Sequence, residues 1–265
     1  MKKYFYLSLI GSSIAFNSCS SINDDNEIIT DPVIKGLLVS KITTVNYDNP
    51  SNPVANIATF EYNTQGDLIK TLSEGRTSFF EYSNGKPVKV NYYNADQTLD
   101  YYAAFSYNGD QLMNIKAIYT NPNFNRKSTY TYNSNGKLAS STLCQSEDCS
   151  NPIITTFAYN GDNISVETST FSWNSKREFS YDDKLNPFTH TNPYLKILME
   201  RADTLSKNNY TTEKISYKES DGSWTQNQNI TYTIQYNSAN LPVEVIGKEA
   251  NGDNYVKYMY EYISL

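Results

Sequence analysis

Tyr130-Thr131-Tyr132-Asn133-Ser134-Asn135-Gly136-Lys137-Leu138 is the stretch on which the fold turns. Two aromatic rings alternate with a polar residue, Asn and Gly follow, and an aliphatic residue opens the next segment. Alternation with period two marks a strand that buries one face, and Asn and Gly tolerate the positive φ that tight hairpin turns demand. The phrase therefore spells strand, turn and return strand. It recurs at Phe60-Glu61-Tyr62-Asn63 with Gly66 and Leu68, at Phe105-Ser106-Tyr107-Asn108 with Gly109 and Leu112, and at Phe157-Ala158-Tyr159-Asn160 with Gly161 and Ile164. Weaker copies end at Tyr82, Tyr181, Tyr236 and Tyr262. Most successive copies lie roughly 20 to 27 residues apart, the self-similarity of a repeated supersecondary unit. Each unit predicts a β-hairpin.

Alternation also assigns faces. In Ile230-Thr231-Tyr232-Thr233-Ile234-Gln235-Tyr236 every second residue is apolar or aromatic, and Ile153, Thr155, Phe157 and Tyr159 form a similar row, as do Val256, Tyr258, Tyr260 and Tyr262. The closing tyrosine of each phrase thus faces the core, and a register slip of one residue would expose the whole row. About fifteen strands are expected, mostly of six to eight residues, and an open sheet much beyond roughly ten strands curls or closes. The expected fold is all-β: a long antiparallel up-and-down meander curling into a barrel or half-barrel, in one repeat-built domain over 33–265. One segment breaks the pattern. Asn192 can cap a helix with Pro193 at its first position, and Leu195, Leu198, Ala202 and Leu205 then share a face. A short α-helix near 193–205 is expected to pack on the sheet or block one barrel mouth.

Lys2 and Lys3 precede an apolar run from Tyr4 to Phe16, too short for a spanning helix and of the size of a signal-peptide core. The small residue Ser18 before Cys19 resembles a bacterial lipobox. That resemblance implies a lipoprotein leader at 1–18, lipidation of Cys19 and a membrane partner reached through the lipid. Ordinary cleavage after Ala15, with Cys19 left as a thiol, is the alternative. Residues 19–32 read as a disordered acidic tether, carrying Asp24, Asp25 and Glu27. An export signal of this kind looks like those that send some lipoproteins to the outer face, so the expected place is the cell envelope, on the outer membrane. Secretion puts Cys144 and Cys149 where disulfides persist, and their spacing suits a bridge across a hairpin loop. A ring that small stabilises by only about 2 kcal/mol. The formal charge is -6, and loss of Lys2 and Lys3 makes it -8, so no basic face invites nucleic acid.

The turn grammar, most clearly Tyr132-Asn133-Ser134-Asn135-Gly136-Lys137-Leu138, resembles the YD repeats of RHS-type proteins. Tyr181-Asp182-Asp183-Lys184-Leu185-Asn186-Pro187-Phe188 and the later Ser206-Lys207-Asn208-Asn209 resemble Bacteroidota lipoproteins with an uncharacterised β-meander domain described as porin-like. Both resemblances imply a β architecture, and neither brings an activity.

Chemistry-bearing residues are sparse. His190 is the single histidine, and no nucleophile elbow, phosphate loop or dinucleotide fingerprint occurs. Neither a metal site nor a cofactor is called for, and the Asn-Gly-Asp-Asn stretches at 160–163 and 251–254 read as hairpin turns rather than calcium loops. Asp203-Thr204-Leu205 resembles a short O-glycosylation signal, but the predicted helix covers it. The sequence has 24 tyrosines, of which Tyr4 and Tyr6 lie in the leader. Apolar rings with polar tips suit a wet lumen or a sugar-stacking surface. The leading expectation is a non-enzymatic envelope protein whose tyrosine-rich meander binds a glycan, a peptide or an envelope protein. A carbohydrate-active enzyme using Asp182 or Asp183 is the second reading, and an inert surface module the third.

Overall fold

The computed structural model describes residues 36–265 apart from residue 172; the leader, Cys19 and the whole of the expected tether lie outside the described residues. The chain forms β1 (Leu38–Asn46), β2 (Val54–Tyr62), β3 (Leu68–Ser73), β4 (Arg76–Ser83), β5 (Lys86–Tyr93), β6 (Leu99–Asn108), β7 (Gln111–Tyr119) and β8 (Arg126–Tyr132). It continues with β9 (Leu138–Cys144), β10 (Ile153–Asn160), β11 (Asn163–Thr170), β12 (Ser175–Leu185), α1 (Pro193–Met199), α2 (Ala202–Leu205), β13 (Asn208–Lys218), β14 (Trp224–Tyr236), β15 (Pro242–Lys248) and β16 (Asn254–Ile263). Each strand pairs antiparallel with its chain neighbours, and β16 pairs with β1, closing a sixteen-stranded barrel. The expected barrel forms, with sixteen strands where the sequence suggested about fifteen.

The eight tyrosines of the repeat lie at or near the ends of the eight even-numbered strands, within one residue of the end in all but β12, where Tyr181 stands four residues before Leu185. Asn explains the turn that follows. The Oδ1 of Asn133 accepts from the amides of Asn135 and Lys137, both at 3.0 Å, and Asn63 and Asn237 do the same in their own turns. Asn84 and Gly85 form a tighter two-residue turn, with φ of 51° and 73°, the geometry that primed hairpin turns require.

A feature absent from the sequence reading is a β-bulge at each of these tyrosines. The register shifts between Glu61 and Tyr62, Glu81 and Tyr82, Ser106 and Tyr107, Thr131 and Tyr132, Ala158 and Tyr159, Ser180 and Tyr181, and Gln235 and Tyr236. The extra residue lies in the partner strand each time, as with Ile69 opposite Tyr62, Met113 opposite Tyr107 and, for Tyr262, Ser40 between Val39 and Lys41. Bulges bend a strand and increase its twist, so eight of them along one rim supply the curvature that closes the sheet. Six of the bulges leave the tyrosine opposite the aliphatic or proline at the start of the return strand, as in Tyr62 with Leu68, Tyr107 with Leu112 and Tyr159 with Ile164, whereas Tyr181 meets Tyr210 and Tyr262 meets Val39 of β1.

The hydroxyls then join one repeat to the last. Tyr62 donates to the Val39 carbonyl, Tyr82 to Leu68, Tyr107 to Pro87, Tyr132 to Leu112, Tyr181 to Ile164 and Tyr262 to Pro242, at 2.6 to 2.9 Å. Tyr236 instead donates to Asp182. Burial pushes the phenols of Tyr132 and Tyr159 up to about 12, so the rim hydroxyls remain neutral donors across the physiological range.

Inward rows match the alternation: Ile230 and Tyr232 on β14 and Phe157 on β10 are buried, while Thr231, Thr233, Ile154 and Thr156 are exposed. The outer wall carries charge. Lys41 pairs with Glu261 at 2.7 Å, Lys70 with Glu61 at 2.7 Å, Lys89 with Glu81 at 3.7 Å, and Lys257 with Glu244 at 2.6 Å. These residues occupy outward register positions, interspersed with single exposed apolar residues such as Ile57 and Phe79. Strand length departs from expectation: β1, β2, β6, β7, β12, β13, β14 and β16 have nine to thirteen residues. Length therefore does not separate this barrel from a bilayer-spanning one. No helix among the described residues is long and apolar enough to cross a membrane, which says nothing of strands. Cys144, the last residue of β9, is bridged to Cys149 in the following loop, with Cα atoms 4.7 Å apart.

Candidate functional site

Residues 186–207 enlarge the turn after Tyr181, so chain topology places α1 and α2 at the bulged rim. Asn192 caps α1 by accepting from the Tyr194 amide, with Pro193 in the first turn. The helix expected over 193–205 is broken in two because Glu200 takes a left-handed conformation, φ 48° and ψ 42°, and its amide closes on Ile197 and Lys196. A non-glycine residue there carries strain of about 1–2 kcal/mol. Contacts to the rim turns hold the insert across the barrel end: Asn192 Nδ2 donates to the Gly85 carbonyl at 3.1 Å, and the Tyr194 hydroxyl to Asp110 at 2.9 Å. The buried Asn186 ties the two ends of the insert by donating to Ser206 and accepting from Phe188. Leu195 and Ala202 are buried against Leu68, Phe80, Leu112 and Phe157 in the principal core cluster. The insert blocks this mouth.

Above it the lumen encloses a cavity of about 430 Å³. Leu195, Leu198, Met199 and Glu200 form the floor, and the walls rise past Phe60, Phe80, Tyr92, Tyr101 and Ala103. Thr44, Tyr119, Arg126 and Leu143, close to the opposite strand ends, complete it. Tyr92, Tyr101 and Tyr119 come from adjacent strands and stack on one another, with centroids 4.3 and 4.5 Å apart. Their faces are thereby largely spent on each other. Burial raises all three phenols.

The Glu200 carboxylate turns into this cavity. Ser141 donates to it at 2.9 Å and Tyr130 hydrogen-bonds it, while burial raises its carboxyl above the usual range. Arg201 follows it into the lumen and is held by Asp203, its Nε 2.9 Å from Oδ1 with a second contact through Nη2.

A separate charged cluster occupies the β11–β13 side. Arg177 pairs with Glu213 at 3.5 Å, the Tyr232 hydroxyl donates to Glu213 at 2.8 Å, and Glu167 faces Arg177 across the strands. Burial first, then Glu213 and Asp203, push the Glu167 carboxyl up to about 7 against the pull of Arg177. Between the ordinary carboxylate value and about 7, rising pH deprotonates the unfolded chain before the folded one, so this group lowers stability as pH rises; above about 7 the penalty is constant. Glu167→Gln is therefore expected to gain on the parent by roughly 1–3 kcal/mol between pH 5 and 7.5. Urea unfolding at several pH values reads the gap, and parallel stability curves would contradict it.

The carboxylates considered for catalysis lie elsewhere. Asp182 accepts from the Lys184 amide at 3.0 Å and from the Tyr236 hydroxyl, while Asp183 is exposed beside Lys184. They serve a turn and do not converge on the cavity. His190 is exposed on the chain leading to α1, its ring against Gly36, where a Cβ would come within 2.2 Å. Asp162 pairs with Lys137 at 2.7 Å, and Asn163 accepts from the Lys207 and Asn208 amides. Asp253 is likewise turn-bound, its amide donating to Asn251. No cluster of three or more metal-ligating side chains occurs among the described residues. Thr204 is fully buried and donates to the Arg201 carbonyl at 2.9 Å, which leaves its hydroxyl inaccessible to modification. Glu200, Arg201 and Glu167 were missed from sequence; the only signal for the first two was their place beside the inward face of the expected helix.

Comparison with solved structures adds to this plan. The barrel is similar to that of a porin-like protein. That protein, from Bacteroides uniformis ATCC 8492, aligns over 85% of this chain and 96% of its own, with a TM-score of 0.54 and 16% identity. A porin-like protein from Bacteroides vulgatus ATCC 8482 aligns over 87% of this chain and 100% of its own, with a TM-score of 0.44 and 13% identity. At these identities the first likeness is one of fold alone. No protein-family model and no curated protein matches the chain, so the RHS likeness rests on the turn grammar alone.

Proposed function

We propose that this chain is a lipid-anchored protein of the cell envelope that holds a small, apolar-bodied ligand in its lumen without transforming it. The observation that carries the reading is the 430 Å³ cavity, walled by rings and closed at one end by α1 and α2. A free sixteen-strand barrel would leave a water-filled channel. Here the insert and the paired rings occupy that space, and what remains has the size and apolar lining of a small-molecule site. Because Tyr92, Tyr101 and Tyr119 stack on each other, they offer little free face to a sugar, and an aliphatic or aromatic body suits the walls better than a glycan.

The wall is read as facing water. Lys70, Lys89 and Lys257 project outward near the middle of their strands, where each lysine would cost about 2–4 kcal/mol at a bilayer midplane. Attachment then falls to the lipid expected on Cys19, with the Asp/Glu-bearing tether as spacer.

N-phenyl-1-naphthylamine, a neutral fluorophore, is expected to bind the purified protein saturably at one site. Ala117→Trp, which fills the cavity wall, is expected to weaken it at least tenfold with the circular dichroism unchanged. Unsaturable binding, or equal binding by the variant, would reject the lumen as the site.

A further inference from the structure

We infer that the lumen selects an organic cation, an ammonium group on an apolar body, with Glu200 as its counter-ion; this deepens the binding role proposed above and rests on it. Four charged side chains border the cavity: Arg126, Glu200, Arg201 and Asp203. Arg201 and Asp203 satisfy one another through two contacts. Arg126 opens β8 at the far end, four residues before Tyr130, which places it about 13 Å along the strand from the ring that meets Glu200. Glu200 alone is a carboxylate at the cavity floor whose partners, Ser141 and Tyr130, are neutral hydroxyls.

Two hydroxyl donors orient a carboxylate without neutralising it. A buried charge left in that state is costly, and an opposite charge brought by a ligand removes the cost. The surroundings favour the same class of head group. Tyr130 meets the carboxylate and Phe80 lines the same cavity, and electron-rich ring surfaces left free of stacking attract ammonium groups. An anionic head would meet Glu200 at the floor and would have to rely on Arg126 at the mouth, where water screens it. The left-handed backbone at Glu200 serves this arrangement: it ends α1 and turns the side chain out of the helical path into the lumen.

A near-isosteric trio separates the outcomes: 4-phenylbutylamine, 4-phenylbutanol and 4-phenylbutyrate, titrated calorimetrically at neutral pH into the full purified chain. The amine is expected to bind at least tenfold more tightly than the alcohol, and the acid most weakly. Glu200→Gln is expected to lower amine affinity at least tenfold while changing alcohol affinity less than twofold, the alcohol reporting that the lumen is intact. Equal affinity for amine and alcohol, preference for the acid, or an amine affinity untouched in Glu200→Gln would overturn the cation selectivity while leaving lumen binding in place. Failure of all three ligands would reject lumen binding together with its selectivity.

Discussion

Replacing Tyr62, Tyr107, Tyr132 and Tyr262 together by Phe is expected to lower the unfolding free energy by about 2–6 kcal/mol. Phe keeps the ring in the inward row and removes only the hydroxyl. Each hydroxyl makes a bond of 2.6 to 2.8 Å to a carbonyl in the preceding hairpin, and each such bond has a net worth of about 0.5–1.5 kcal/mol. The sum is not expected to be strictly additive. Tyr132 donates to Leu112, the residue that opposes Tyr107 across its own hairpin, so this pair shares a structural element and should couple. The control is Tyr102→Phe, on the outward face of β6 beside Lys89, which should shift stability by no more than about 0.5 kcal/mol. Denaturant unfolding measures all of these. A quadruple variant within about 1 kcal/mol of the parent would show that the rim bonds merely replace equally good bonds to water.

Leu195→Ala is expected to cost about 2–5 kcal/mol. Leu195 is 2% exposed and packs in the core cluster while its other side lines the cavity floor. Truncation forfeits the transfer energy of the lost groups and extends the existing cavity downward, because α1 is pinned at Asn192 and Tyr194 and cannot sink to fill the gap. Urea unfolding followed by tyrosine fluorescence tests whether insert and barrel unfold as one unit. A loss below about 1 kcal/mol would mean that α1 opens independently of the sheet. The same variant should still bind the neutral fluorophore, since the walls at Phe60, Tyr92 and Ala103 are untouched.

Much of the architecture was readable from the chain because it rests on local rules. A repeat tyrosine, followed by Asx-Gly turn chemistry in five of the eight copies, stands near the end of each even-numbered strand, and period-two rows put Tyr232, Phe157 and Tyr260 on the inner face, where they are found. Asn192 and Pro193 announced α1 through capping chemistry that involves only neighbours in sequence. Its expected continuation through residue 205 failed at Glu200, since helix propensity does not foresee a left-handed turn imposed by an end that must cross the barrel mouth. Strand lengths were underestimated for a similar reason: pairing with two neighbours extends strands past the point where alternation fades, as in β14 with 13 residues.

The candidate site was far less legible. Glu200 owes its role to Ser141 and Tyr130, which lie 59 and 70 residues away in the chain, and Glu167 owes its raised carboxyl to burial first and then to Glu213 and Asp203 on two other elements. A sequence scan looks for reactive residues in familiar spacings; here Asp182 and Asp183 drew attention by adjacency, yet they serve a turn. The sequence by itself determined the hairpin unit, its eight copies and the inward rows, because turn conformation and alternation are properties of a few consecutive residues. Closure of β16 on β1, the bulge at every rim tyrosine, the hydroxyl bonds between repeats and the charged floor of the lumen were decided only in the tertiary structure. Each of these depends on curvature summed over sixteen strands, which brings together residues that no local pattern relates.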